Sequence, residues 1–133
     1  MIDSVIETYY PGKCNIGQEE IKKRYKAGLA GFIIFVIFLI FLSVFKLNYL
    51  FFILLAFPLF LGFIGFYQGY KRFCVANAVT GLYVFSDNKK GSIKNKIAHR
   101  IDLKTAVILI TYSFISAAVV TMIITLIAYY WLI

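Results

Sequence analysis

Apolar residues in this chain are collected into three long runs that contain no charged side chain, at 27–45, 47–70 and 105–133. The hydrocarbon core of a bilayer is about 30 Å thick, so a helix needs roughly 20 apolar residues to cross it. Each run is long enough to do so. The pattern therefore predicts three transmembrane helices: span 1 (27–45), span 2 (47–70) and span 3 (105–131).

The distribution of charge predicts how these spans are oriented. All fourteen lysines and arginines except Lys46 lie on one side of the three runs. Basic residues collect on the cytoplasmic side of membrane proteins, which predicts a cytoplasmic N-terminus and an extracytoplasmic C-terminus in the cell membrane. Lys46 falls in the short connection between spans 1 and 2, so these two spans form a helical hairpin. Span 1 follows 26 mostly polar residues and is longer than a signal-peptide core, which favours a retained span.

The predicted fold class is an all-α membrane protein with one membrane domain over 1–133. Hydrophobic residues make up 62% of the chain, above the roughly 45–50% typical of soluble domains. Segment 1–26 is predicted to be cytoplasmic and to contain an interfacial amphipathic helix from Asn15 or Gly17. Glu19 and Glu20 would lie in its first turn, where carboxylates favour the positive end of the helix dipole.

Segment 71–104 is predicted to be a basic cytoplasmic loop. Its first uncharged residues favour a helical continuation of span 2 through Ala78. The residues at 82–85 have strand-like composition and end at a turn signal, so a small hairpin with 92–97 is an alternative for this part. Asp102 is a candidate N-cap for the helix of span 3.

Small residues recur at helical spacing in all three spans, and Pro58 predicts a kink in span 2. Small residues let helix backbones approach closely in membranes, so these positions predict helix–helix contact, with the contacting helix left open. The aromatic residues Tyr129, Tyr130 and Trp131 fit the extracytoplasmic interface. The helix-packing candidates are Ala27, Gly31, Gly62, Gly65, Gly69, Ser113, Ala117 and Thr121.

Ligand candidates lie near the cytoplasmic boundary. Basic residues at a membrane surface attract anionic lipid head groups, and each residue contributes about 1 kcal/mol to the binding free energy. The positive-inside pattern already accounts for these charges, so nucleic acid is not an expected partner. Interhelical hydrogen bonding is the plainer interpretation of the polar residues, and a polar cavity is the alternative. The candidates are Gln68, Lys71, Arg72, Asn77, Lys89, Lys90 and Arg100.

Two cysteines and one histidine are the soft metal ligands besides methionine. Cys14, Cys74 and His99 all fall on the predicted cytoplasmic side, but no close ligand pair of the kind found in zinc sites is present. The sequence therefore predicts no cofactor, and ordinary thiols are the main interpretation. A regulated Cys14–Cys74 pair remains an alternative, since the cytoplasm disfavours a permanent disulfide.

No catalytic motif is recognisable in the chain, and no charged residue lies within a span to mark a proton or ion path. The leading hypothesis is a non-enzymatic accessory or assembly subunit that packs against other membrane subunits or against itself. The first alternative is a small module that binds or transports a lipid or an anion. The second is a thiol- or metal-responsive membrane protein.

Overall fold

The computed structural model describes residues 9–86 and 89–132. It confirms a mostly helical chain with three helices that are long and apolar enough to cross a membrane, Gln18–Val44, Tyr49–Lys71 and Lys96–Leu132. The elements in chain order are α1 (Gln18–Val44), the 3₁₀ helix η1 (Tyr49–Leu55), α2 (Ala56–Lys71), α3 (Val75–Thr80), β1 (Leu82–Ser86), β2 (Lys89–Ser92) and α4 (Lys96–Leu132).

α1 is one uninterrupted helix from the strongly basic segment into the apolar run. The helix predicted to start at Asn15 or Gly17 and to run into span 1 begins at Gln18, with Gly17 as its N-cap, and continues into span 1 without a break. Glu19 and Glu20 lie in its first turn, as predicted. Glu20 pairs with Lys23 at 3.0 Å and with Arg24 at 3.8 Å, which supports these exposed turns by a few tenths of a kcal/mol for each pair.

α1 and α2 form an antiparallel hairpin whose backbones meet at glycines. A methyl group added at Gly65 would lie 2.5 Å from the Gly28 nitrogen, and one added at Gly31 would lie 2.5 Å from the Gly62 nitrogen. Gly69 lies against the ring of Tyr25. The glycines of α2 thus face α1, which the sequence left open.

Pro58 lies at the third residue of α2 and follows η1. The expectation of a kinked α-helix over 47–70 is wrong in its first part, which is a 3₁₀ helix. Proline has no N–H to donate to the carbonyl of Leu54, and its ring clashes with that carbonyl in an α-helix. The tighter 3₁₀ helix precedes this point, and the α-helix begins just before the proline. Asn48 accepts from the Leu50 N–H at 3.0 Å and caps η1.

α4 begins at Lys96, well before the apolar run. The side chain of Asn95 accepts from the Ile97 N–H at 2.8 Å and from the Ala98 N–H at 3.4 Å, so Asn95 is the capping residue. The expectation that Asp102 caps this helix is wrong, because Asp102 lies almost two turns inside it. A 37-residue helix is about 55 Å long, so α4 extends beyond the bilayer core of about 30 Å.

The connection between α2 and α4 is folded, and two details differ from the expectation. α2 ends at Lys71, where Arg72 adopts the left-handed conformation at φ 55°, so the helix does not continue through Ala78. The hairpin exists, but β1 pairs with β2 at Lys89–Ser92 rather than with 92–97, and its register places Leu82 opposite Ser92. The chain is therefore a helical bundle with one small antiparallel hairpin.

Apolar clusters lie at both ends of the bundle. The basic end is the end at which α1 begins, α2 ends and α4 begins; its cluster is formed by Phe73, Ala78, Ala106 and Leu109. The far end carries the second cluster, formed by Leu42, Phe52, Leu55 and Ala128. The rings of Tyr49 and Tyr129 meet edge to face at 5.0 Å beside the far cluster, which fits an aromatic boundary there.

Candidate functional site

The segment Tyr9–Gly17, here called the strap, lies across the basic end and joins three other parts of the chain. Asn15 is fully buried. Its side chain accepts from the Cys74 N–H at 2.6 Å and donates to the Cys74 carbonyl at 3.1 Å. Its own N–H donates to the Arg72 carbonyl, and its carbonyl accepts from Val84. One asparagine therefore fixes the α2–α3 junction and β1 against the strap.

Asp102 anchors the strap on α4. The carboxylate is fully buried, and it accepts from the Tyr9 hydroxyl at 2.6 Å and from the Gly12 N–H at 2.7 Å. The Thr105 hydroxyl donates to the Gly12 carbonyl at 3.2 Å. Burial, followed by the hydrogen bond and the charge of Asp102, raises the pKa of Tyr9. The phenol is therefore held in its neutral, donating form.

Gly12 is required where the strap turns onto α4. Its φ of +71° lies in the left-handed region, which glycine adopts readily because it has no Cβ atom. A methyl group there would lie 2.6 Å from Ile101 Cγ2 and 2.9 Å from Thr105 Oγ1. The backbone conformation and the close packing against α4 both favour glycine at this turn.

Both cysteines are buried and reduced. Cys74 packs with Ile16 and Ile21 in a small apolar cluster. The Cys14 thiol donates to the Ile16 carbonyl at 3.6 Å. Burial raises the pKa of the Cys14 thiol, against the opposing effects of that hydrogen bond and of the charge of Arg72. A raised pKa lowers the thiolate fraction, and the thiolate is the reactive form.

His99 does not join the cysteines in a metal site. Among residues 9–86 and 89–132, no three His, Cys, Asp or Glu side chains are grouped so that they could hold a metal ion. His99 packs beside Gly81. Its Nε2 atom is buried and has no hydrogen-bond partner among the described residues. Asp102 lies three residues after His99 on α4, but its carboxylate is bonded to the strap.

The predicted ligand residues do not converge on one place. Gln68 is buried, and its side-chain oxygen accepts from the Val75 N–H at 2.9 Å, so it caps α3. Asn77 is half-buried in α3, and Arg72 ends α2. Lys90 and Arg100 are exposed, and the side chain of Lys89 lies outside the described residues.

A cavity of about 390 Å³ lies at the basic end, between the strap and α4. Six of the residues that line it matter for its chemistry: Gly12, Lys13, Lys71, Thr105, Ile108 and Tyr112. The name strap cavity is used for it here. Of the predicted ligand residues whose side chains the structure describes, only Lys71 lines it. Lys13 was not among the candidates.

A second, apolar depression lies within the predicted membrane region. It runs between the η1–α2 junction and α4, as two adjoining hollows of about 500 and 350 Å³ that share Ile53, Ala56 and Ala118. This α2–α4 groove also contains Ala117, Thr121 and Thr125. The hydroxyls of both threonines are buried and have no hydrogen-bond partner among the described residues.

The helix-packing candidates occupy different surfaces. Gly31, Gly62, Gly65 and Gly69 lie between α1 and α2, where Gly28 and not the exposed Ala27 supplies the second close contact from α1. Ser113 is fully buried and donates to the Leu109 carbonyl at 2.8 Å. Ala117 and Thr121 are buried and line the groove. The candidates therefore serve packing within the chain and, on α4, border an open surface.

Sequence reasoning did not single out Tyr9 or Lys13, and it gave Asn15 and Asp102 only local roles at helix starts. The residues Tyr10, Pro11 and Gly12 favour a turn before Lys13, but this signal does not indicate which part of the chain the turn contacts. No protein-family model, curated protein or solved structure matches the chain.

Proposed function

We propose that this chain is a non-enzymatic integral membrane protein that acts as an accessory or assembly subunit of a membrane complex. The proposal places it in the cell membrane, with the basic end in the cytoplasm in accordance with the positive-inside rule. The α2–α4 groove is the surface that would receive the partner. The observation that carries the proposal is a pair of threonines that line this apolar groove, Thr121 and Thr125, whose buried hydroxyls have no hydrogen-bond partner among the described residues.

An unpaired hydroxyl in a membrane interior favours a partner that can hydrogen-bond. Both hydroxyls are buried, so each threonine would rotate its side chain towards the groove to bond to a partner. Thr121 is 5% exposed and lies eight residues, about 12 Å, along α4 from Tyr129. Ser113 on the same helix bonds to its own backbone, whereas the two threonines do not use that arrangement. Lipid tails offer no hydrogen-bonding group at this depth. A polar side chain on a neighbouring transmembrane helix supplies one.

The shape of the groove favours a helix of another protein over a second copy of this chain. Ala56, Ala117 and Ala118 are small, so the groove accepts large side chains from outside. The exposed surface of α1 is apolar, and residues 32–42 are only Phe, Ile, Leu and Val. That surface could fill the groove without pairing either hydroxyl. The proposed occupant is one apolar helix that carries a Ser, Thr, Asn or Gln at the level of Thr121.

Photo-crosslinking in native membranes tests this proposal. A photoreactive residue is placed at Met122, which lines the groove, or at Ile123, which is similarly exposed but does not line it. The proposal predicts one adduct of discrete mass from Met122 only, mapped to a transmembrane helix of another protein and lost when Ala118→Phe fills the groove. An adduct of this chain with itself, lipid adducts alone, or equal adducts from both positions would contradict it.

A further inference from the structure

The strap cavity has the chemistry of a phosphate site at a membrane boundary. Lys13 comes from the strap and Lys71 from the last residue of α2, so two elements distant in sequence bring two ammonium groups to one cavity. Both lysines are exposed, which leaves their ammonium groups hydrated and able to reach a ligand. Lys71 Nζ lies 5.7 Å from the centre of the Tyr70 ring, a weak exposed contact that does not consume its charge.

The wall of the cavity changes from polar to apolar along α4. Thr105, Ile108 and Tyr112 are spaced by three and four residues, so they share one helix face. Thr105 lies beside the strap and its hydroxyl bonds to Gly12. Ile108 and Tyr112 follow one and two turns further into the apolar run. The two cations therefore stand at the polar mouth, and the opposite wall is apolar.

The cavity also lies at the depth where lipid head groups are found. The uncharged run of α2 ends at Tyr70, and the uncharged run of α4 begins at Thr105. These two limits mark the boundary between the bilayer core and the polar region, and residues on both sides of it line the cavity. An amphiphile with a phosphate and an acyl chain matches this gradient along its own length.

Among residues 9–86 and 89–132, the carboxylate nearest in sequence to the α4 wall of this cavity is already bonded. Asp102 lies one turn before Thr105 on α4, but it is fully buried and both of its oxygens accept hydrogen bonds from the strap. None of the described residues that line the cavity is acidic. The charged side chains that line the cavity in the described part of the chain are therefore Lys13 and Lys71.

We propose that the strap cavity binds the phosphate group of an anionic phospholipid between Lys13 and Lys71, with the first part of the acyl chain along Ile108 and Tyr112. Lysine acts as a mobile point charge towards phosphate, which suits a head group that arrives from the bilayer plane. The site lies at the basic end and the α2–α4 groove nearer the far end, so this inference does not depend on the proposed subunit role.

Native mass spectrometry of the protein in a neutral detergent tests the site, with phosphatidylglycerol, phosphatidylcholine and inorganic phosphate as probes. One molecule of phosphatidylglycerol should bind to each chain, with a higher affinity than phosphatidylcholine. Each basic residue near a membrane surface adds about fivefold to such affinity, so Lys13→Gln with Lys71→Gln should weaken phosphatidylglycerol binding about 30-fold. The matched control, Lys90→Gln with Lys94→Gln, makes the same change in net charge at exposed residues outside the cavity and should change affinity less than twofold.

A steric pair tests the acyl-chain part without a change in charge. Ile108→Trp fills the cavity and should abolish tight binding, whereas Val107→Trp, at an exposed neighbour that does not line it, should not. Equal losses in the two lysine double variants would overturn the site, since binding would then follow net charge alone. If inorganic phosphate at the same concentration as the lipid displaced phosphatidylglycerol, the proposal that the ligand is a lipid would be wrong. The site would then be assigned to a free anion.

Discussion

The hydroxyl of Tyr9 donates to the carboxylate of Asp102 across 93 residues of sequence, with 2.6 Å between the two oxygens. This contact joins the strap to the helix that continues into the third span. Asp102 also holds the Gly12 N–H, so one buried carboxylate fixes two points of the strap. The basic end is therefore organised around an interaction between the beginning of the described chain and the start of α4.

Removing the Tyr9 hydroxyl should loosen the strap. A hydrogen bond to a charged group is worth about 1.5–3 kcal/mol, so Tyr9→Phe should lower stability by roughly that amount. Hydrogen–deuterium exchange should show faster exchange at Gly12 and Asn15, with little change in the α1–α2 hairpin. Tyr10→Phe is the control, because Tyr10 is exposed. Equal effects of the two substitutions would show that the Asp102 contact does not hold the strap.

The raised pKa of Tyr9 makes this contribution depend on pH. The folded state keeps Tyr9 neutral, whereas an unfolded tyrosine ionises near pH 10. The contribution is therefore fully present below about pH 10 and is lost as the pH rises towards the folded pKa. Melting temperatures of the wild type and Tyr9→Phe, measured between pH 8 and 11, should differ below pH 10 and converge above it. A difference that grows with pH would contradict this assignment.

The contact between Gly28 and Gly65 should tolerate no added methyl group. Gly65→Ala places a carbon 2.5 Å from the Gly28 nitrogen, and such overpacking costs about 1–3 kcal/mol. Gly69→Ala is the matched control, since its methyl group meets the Tyr25 ring at 3.1 Å. That ring can move, and alanine favours the helix by about 1 kcal/mol. Thermal unfolding in detergent should show a clear loss for Gly65→Ala alone; equal losses would contradict the close backbone contact.

The cysteines should react slowly with thiol reagents while the protein is folded. Cys14 and Cys74 are buried, and burial raises the pKa of Cys14. The folded state therefore disfavours the Cys14 thiolate, so the stability of the fold decreases as the pH rises above the ordinary thiol range. Maleimide labelling at pH 7 should be at least tenfold slower than after denaturation. Rapid labelling of either cysteine in the folded protein would support the thiol-responsive alternative.

The three spans could be predicted from sequence because the length of an uncharged apolar run is a local property. Other features depended on distant residues. The role of Asp102 is set by Tyr9 and Gly12, and the partner of Gly65 is Gly28 on another helix. The start of α4 was placed too late because residues 96–104 include four charged residues and therefore lie outside the uncharged run. Lys13 was missed since only the folded strap brings it beside Lys71.

The most direct test of the subunit role is the composition of the particle released from native membranes in polymer-bounded lipid discs. Ala118→Phe fills the α2–α4 groove, and Val119→Phe adds similar bulk at an exposed neighbour outside it. Mass measurement should show the wild type and Val119→Phe with one additional membrane protein in fixed ratio, and Ala118→Phe without it. The same solitary chain in all three samples would contradict the proposed function.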